Sequence, residues 1–374
     1  MTAATQNRFS TAVHELGPGF AQRATAQDRS GEFVSENYTQ LKARKLISAG
    51  VPADLGGGGA SHDELCDMLR TLGQYCPSTA LALSMHTHLV AGATWRHRQG
   101  QPTAPLLSKV AAAEVVLVST GANDWLDSTG KAEKVDGGFK VTGLKRFASG
   151  SPAGDIALTS APYDDPQAGK TVLHFSVPLK ADGVRVGTDW DTMGMRATGS
   201  HTLSFENVFV SDAQVSVRRP AGQWHPSFNV VCIVAVPIYF SAYVGLAEQA
   251  AQLARDSARK RPGDPHLPYL LGEMENALLI AQMALREMLA VSKNYEFAAE
   301  NAPANQTLMC KTIGANAIRL VLDKAVEASG GGAYFRANPL ERLWRDAQAI
   351  QFHPMPEMKQ LQFTGRLAMG LPPI

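Results

Sequence analysis

The chain has 374 residues, 45% of them hydrophobic, which is enough to bury a large core and too many for one ordinary domain. With 35 basic and 34 acidic residues its formal net charge is +1, so no overall field draws it to nucleic acid or to an anionic membrane, and any anionic ligand must be held locally. Cys66, Cys76, Cys232 and Cys310 are scattered without a C-x-x-C or a zinc spacing, and the N-terminus lacks a signal-peptide core; both predict buried thiols in a reducing, cytoplasmic compartment and no metal site.

Residues 1–112 carry mostly helical apolar spacing, interrupted by the glycine run Gly56–Gly59, which reads by itself as a flexible linker. Ser61 and Glu64 after it match a helix cap. Over residues 113–217 the period changes to two: Val115–Ser119, Phe139–Thr142, Ile156–Thr159, Val172–Val177 and Leu203–Phe205 read as strands, with a hairpin turn at Val135–Gly138. Short strands joined by glycine and proline turns predict a small barrel or sandwich. Helical spacing returns over residues 218–374, with Leu278, Ala281, Leu285 and Leu289 on one predicted face and Ile313, Ala317, Leu320 and Ala328 on another. The uncharged stretch from Phe228 to Ala247 is nearly long enough to span a bilayer, but it contains Asn229 and Pro237 and runs straight into Glu248, so a buried bundle helix is expected and no membrane span. The order of segments predicts an α+β chain.

Several motifs carry chemistry. Ser329-Gly330-Gly331-Gly332-Ala333-Tyr334 suits a turn whose backbone N–H groups approach a phosphate. It is followed by Leu340-Glu341-Arg342-Leu343-Trp344-Arg345-Asp346 and then Phe352-His353-Pro354. Upstream lie Val118–Asp124, Gly143-Leu144-Lys145-Arg146-Phe147-Ala148-Ser149-Gly150, Trp190–Ser200 with the pattern W-x-x-x-G-M-R-x-T-x-S, and Arg255–Gly263. His86 and His88 stand two apart, which does not put them on one helical face as a metal pair.

In this order the motifs resemble the acyl-CoA dehydrogenase superfamily from about Gly50 to Asp346, and in the 190–200 segment its two-component flavin monooxygenases. The resemblance implies an N-terminal helical domain, a middle β domain and a C-terminal four-helix bundle in a homotetramer. It implies a flavin whose ring is covered by Phe147 and met by Ser149. Ser119 lies on a loop at the pyrimidine edge, Gly330, Gly331 and Gly332 at the phosphates, and Arg259 reaches across a subunit boundary. Where such dehydrogenases have a basic Glu, this chain has Pro354, and Lys260 stands where some have an alternative carboxylate. His353 is then the implied proton donor beside the flavin. Pro262 replaces the phenylalanine that packs on an adenine, which leaves both FAD and FMN open, including reduced flavin used as a co-substrate. The implied reaction is oxygenation of a small molecule through a C4a-hydroperoxyflavin, with a separate flavin reductase, since no nicotinamide fingerprint follows a strand. The alternatives are acyl-CoA dehydrogenation with a displaced base such as Glu357, and a non-catalytic flavin or acyl-CoA binding scaffold.

Overall fold

The computed structural model describes residues 7–121 and 124–373, and its elements run helices, strands, helices. The first group is α1 (Arg8–Ser30), α2 (Ser35–Ala43), α3 (His62–Tyr75), α4 (Pro77–Arg98) and α5 (Ala104–Ala113). Ser61 caps α3 reciprocally: the Glu64 N–H donates to its hydroxyl, and its own N–H donates to Glu64 at 2.8 Å. The glycine run before it is no flexible linker. It folds back on the chain, Gly58 N–H donating to Ser48 O and Ala60 N–H to Ala49 O, and a Cβ on Gly57 would lie 2.3 Å from Val51 O.

The middle segment holds β1 (Leu117–Ser119), β2 (Lys131–Val135), β3 (Gly138–Ala148), β4 (Ile156–Asp165), β5 (Gly169–Pro178), β6 (Val184–Val186), β7 (His201–Ser211) and β8 (Val215–Pro220). They form two four-stranded sheets, ordered β1-β4-β5-β8 and β2-β3-β7-β6. Phe139, Val141, Leu173, Phe175, Leu203 and Phe205 share one core in this segment. The hairpin turn is tight, Val135 pairing with Gly138. β8 continues to Pro220 because it pairs along β5, so strand structure extends past residue 217.

The last group is α6 (Ser227–Ala258), α7 (Leu267–Ser292), α8 (Asn301–Ser329), α9 (Pro339–Ala347) and α10 (Glu357–Ala368). By length and composition α6 could cross a bilayer, yet 94% of its apolar window is buried among the other helices, where it packs on α3, α4, α7 and α8. All four cysteines are free and buried.

On α7 the predicted residues Leu278, Ala281 and Leu285 are buried. On α8 the expectation fails for Ile313 and Leu320, which are 55% and 43% exposed. The helix is apolar on two sides, and Leu308, Ile318, Leu322 and Ala325 take the inward one. Ile313 and Leu320 face outward with Met309, and Leu279, Ile280 and Met283 are exposed on the adjoining α7.

Candidate active site

β3 leaves regular pairing between Lys145 and Ala148, and there Phe147 adopts φ 62°, an uncommon conformation for a residue with a bulky side chain. Its ring stays 48% exposed and meets Trp190 edge-on, with centroids 6.2 Å apart. Two residues on, Ser149 is buried and its hydroxyl lies 2.7 Å from that of Ser200, itself 2.7 Å from Thr198. Thr198 donates to Met195 O at 2.9 Å. One proton per hydroxyl fixes the direction of this chain: Ser200 donates to Thr198 and Ser149 to Ser200, which leaves the Ser149 oxygen free to accept.

The stretch 190–200 is held against α9. The Met195 N–H donates to Asp346 Oδ1, Trp190 Nε1 to Met195 O, and a Cβ on Gly194 would sit 2.2 Å from Arg345 O, so the loop can come this close to the helix only with glycine there. Ser119 ends β1 opposite Leu158 and is half-buried. Of the loop that follows it, residues 122 and 123 lie outside the described residues. Asp124 closes the loop in a buried ion pair with Lys145, 2.7 Å apart, which fastens it to β3.

His353 lies in the turn between α9 and α10. Its ring stacks on Tyr239 with centroids 5.0 Å apart and meets Tyr243 more steeply at 5.6 Å; both tyrosines come from one face of α6. The Tyr239 hydroxyl donates to Pro354 O at 2.7 Å, and the buried Lys311 of α8 donates to Met355 O at 3.1 Å, so the turn is pinned from two helices. Burial, with Lys311 and His88 nearby, pushes the His353 pKa down to about 3. The imidazole is therefore neutral at physiological pH, one nitrogen donating and one accepting, and proton exchange near neutrality belongs elsewhere. Lys311 is the group brought into that range, burial lowering it to about 8 against the opposing charge of Glu357. Glu357 itself is exposed at the start of α10.

Four of these neighbours, Lys311, His88, Tyr239 and Tyr243, carry no role predicted from the sequence. Lys311 gives no pattern that separates it from a surface lysine. His88, weighed only as half of a metal pair, contributes to the field at His353, while its Nδ1 lies 3.2 Å from Ser84 O. His86 is spent on structure, its ring nitrogens meeting Ile47 O and the Leu117 N–H at 2.9 Å. Tyr239 and Tyr243, four residues apart on α6, were legible as an aromatic pair on one helical face.

Gly330–Tyr334 forms a short 3-10 turn at the end of α8. Gly330 has φ 71°, Gly331 and Gly332 are exposed, and a Cβ at either of the last two would meet nothing within 4 Å, so the backbone is open to an approaching group. Asn338, the cap of α9, donates to Gly332 O at 3.1 Å. Within one chain the glycine turn thus adjoins the N-terminal end of α9 and the Trp190–Met195 segment its C-terminal end, about 13 Å apart for a helix of this length. Arg259 ends α6 with its side chain 68% exposed, held only by Asp256 at 2.6 Å. Arg261 is the arginine that reaches the glycine turn, donating to Ala328 O.

Three family models match in succession: acyl-CoA dehydrogenase N-terminal domain over residues 4–114, middle domain over 120–208 and C-terminal domain over 238–357. The chain is 26% identical to a "Pigment production hydroxylase" of Rhodococcus sp. (strain ATCC 21145), covering 98% of both chains. It is 26% identical to the "Putative acyl-CoA dehydrogenase YdbM" of Bacillus subtilis, covering 93% of each. Among solved structures it superposes on KijD3 in complex with FMN and a dTDP-linked amino sugar with a TM-score of 0.90 at 23% identity, covering 99% of this chain and 95% of the other. In the order of its helices, sheets and helices, and in the three models that match them, this chain belongs to the acyl-CoA dehydrogenase family.

Proposed function

We propose that the chain is a flavin-dependent monooxygenase that takes reduced FMN or FAD from a separate reductase and oxygenates a small molecule. The observation that carries this reading is the chemistry around His353. The groups there are a half-buried imidazole, a buried ammonium and two buried phenols, and the buried carboxylate of this region, Asp346, accepts from the Met195 N–H and lies 3.6 Å from Arg342. Dehydrogenation of an acyl-CoA needs a carboxylate base that is free to take a proton. Likeness to a hydroxylase, and to a protein solved with FMN, supports the same reading.

The residues present fit a flavin. Phe147 and Trp190 offer an exposed aromatic wall for a planar ring, and the exposed glycine backbone offers N–H groups to a phosphate. A reduced flavin supplies electrons to oxygen and so makes an oxygen atom transferable to substrate. Ser149, its proton directed to Ser200, would offer its oxygen as an acceptor to an N–H of the reduced ring. His353, neutral and held by the tyrosines, donates one hydrogen bond toward the site without taking a proton from it. Tyr239 and Lys311 fix its turn, and the aromatic wall excludes water.

The exposed apolar strip on α7 and α8 supports assembly, since a second copy would cover it in a homotetramer, and Arg259, exposed and paired with Asp256, would turn to a neighbour's flavin. Buried free thiols suit a reducing cytoplasm. Acyl-CoA dehydrogenation with Glu357 as base is the second reading, favoured by likeness to YdbM and opposed by the exposure of that acid. The test is oxygen coupling: the parent protein with reduced FMN is expected to release little hydrogen peroxide when substrate is present, and His353→Ala to release most of the oxygen as peroxide while still binding flavin. Equal peroxide yields would defeat the assignment.

A further inference from the structure

On α4, Met85, His88, Gly92 and Arg96 follow one another along a single helical stripe. His88 contributes to the field at His353, and a Cβ on Gly92 would meet nothing within 4 Å, so the stripe opens beyond the histidines. Arg96, two turns further and roughly 12 Å along the axis, is half-buried, and its guanidinium has neither a hydrogen-bond acceptor nor an ion-pair partner among the described residues. Its surroundings are basic. His174 on β5 feels Arg96 together with Arg219, His225 and Lys145, and it is held neutral by burial and by these charges.

The other cations in this cluster are already satisfied. Lys145 pairs with Asp124, and Arg219 donates to His174 Nε2 at 3.0 Å, to the carbonyls of Leu126 and Asp124, and lies over the Phe228 ring. Phe228 packs on Trp125 and Trp224, which stack with centroids 5.7 Å apart, and the buried Trp125 Nε1 also lacks an acceptor among the described residues. The cluster therefore holds two unused donors, one of them cationic and only partly exposed. For the Trp125 N–H, which is buried, the missing acceptor is costly and a ligand that supplies one removes that cost, while the half-buried guanidinium of Arg96 is open to a counter-ion.

Resting on the monooxygenase reading for where the reaction occurs, we propose that the substrate carries a carboxylate that Arg96 binds, with an apolar or aromatic body lying along α4 toward His88 and His353. A guanidinium takes a carboxylate through two parallel hydrogen bonds, and an amide of the same shape cannot replace the charge.

The experiment is calorimetric titration of the full chain, with and without added FMN, using phenylbutyrate and phenylbutyramide as probes. The acid is expected to bind about tenfold more tightly than the amide. Arg96→Gln is expected to abolish that preference and Arg96→Lys to keep part of it, both with unchanged near-ultraviolet circular dichroism. Equal binding of acid and amide, no binding of the acid at millimolar concentration, or an intact preference in Arg96→Gln would each overturn the proposal. The readout needs no turnover. A carboxylate preference without oxygen coupling would overturn only the proposed reaction, and coupling without the preference would overturn only the role of Arg96.

Discussion

The Met195 N–H donates to Asp346 Oδ1 at 2.5 Å, and this bond joins the middle segment to α9. The next residues extend the junction to the N-terminal helices: Arg345 grips Asp28 of α1 with two hydrogen bonds, 2.9 and 2.6 Å long, and Arg196 donates to Asp28 O at 2.8 Å. Two segments singled out separately in the sequence are thus one joint, and the wall built by Trp190 hangs from it.

Asp346 makes that joint pH-sensitive. Burial lifts its carboxyl from the ordinary 3.8 to about 6, despite Arg342 and the Met195 N–H, which favour the charged form. A raised acid contributes stability that is fully present below about pH 4 and is lost as pH rises through about 6. Asp346→Asn has no such titration. Its stability relative to the parent is expected to improve by about 2 kcal/mol between pH 4 and pH 7, read as the difference in urea midpoints. A constant difference across that range would show that the carboxyl does not titrate there.

Near neutrality the group that titrates beside His353 is Lys311, at about 8. Oxygen coupling is expected to change across pH 7 to 9 in the parent and to lose that inflection in Lys311→Met. In the parent His353 adds no inflection of its own across that range, because its imidazole is already neutral. A pH profile that is unaltered in Lys311→Met would move the assignment away from this lysine.

Flavin affinity tests the two ends of α9 separately. Phe147→Ala removes the exposed face of the wall and is expected to weaken FMN binding about tenfold. Gly331→Val fits the free chain, where a Cβ has open space, so weaker binding there reports a blocked backbone approach and not a damaged fold. Arg259→Ala, losing only a surface pair with Asp256, is expected to reduce affinity with no change in melting temperature. Equilibrium dialysis with FMN, beside thermal melts, checks all three; full affinity in all of them would remove the site.

The strip on α7 and α8 predicts assembly. Ile313→Glu puts a charge on the exposed apolar side of α8 and is expected to shift the protein to smaller species in sedimentation velocity. A parent protein that sediments as a monomer would leave the strip without a partner copy.

How much of this was legible depended on range along the chain. Apolar period located the helices and strands, and the contiguous motif Gly143–Gly150 put Phe147 and Ser149 two residues apart, at the end of β3 and in the turn after it, where the irregularity in β3 leaves the ring exposed and the hydroxyl is buried. The direction of the Ser149 proton was not legible, because it is set by Thr198 and Met195 fifty residues on. Neither was the field at His353, made by side chains of α4 and α8. The outward side of α8 looked like core because period alone cannot say which of two apolar faces meets the rest of the chain. That Arg261 reaches the end of α8 was not legible either, because the geometry of the chain after α6 sets it and a motif match does not carry that geometry.

The central claim is that this fold runs oxygen chemistry and not acyl-CoA oxidation. It is tested most directly by mixing the FAD-loaded protein with octanoyl-CoA in the absence of oxygen and following the yellow absorbance of the oxidised flavin. The account predicts no bleaching, since Glu357, the candidate displaced base, lies exposed at the start of α10 beside Asn316. Rapid bleaching that disappears in Glu357→Gln would contradict it and establish a dehydrogenase with a displaced base.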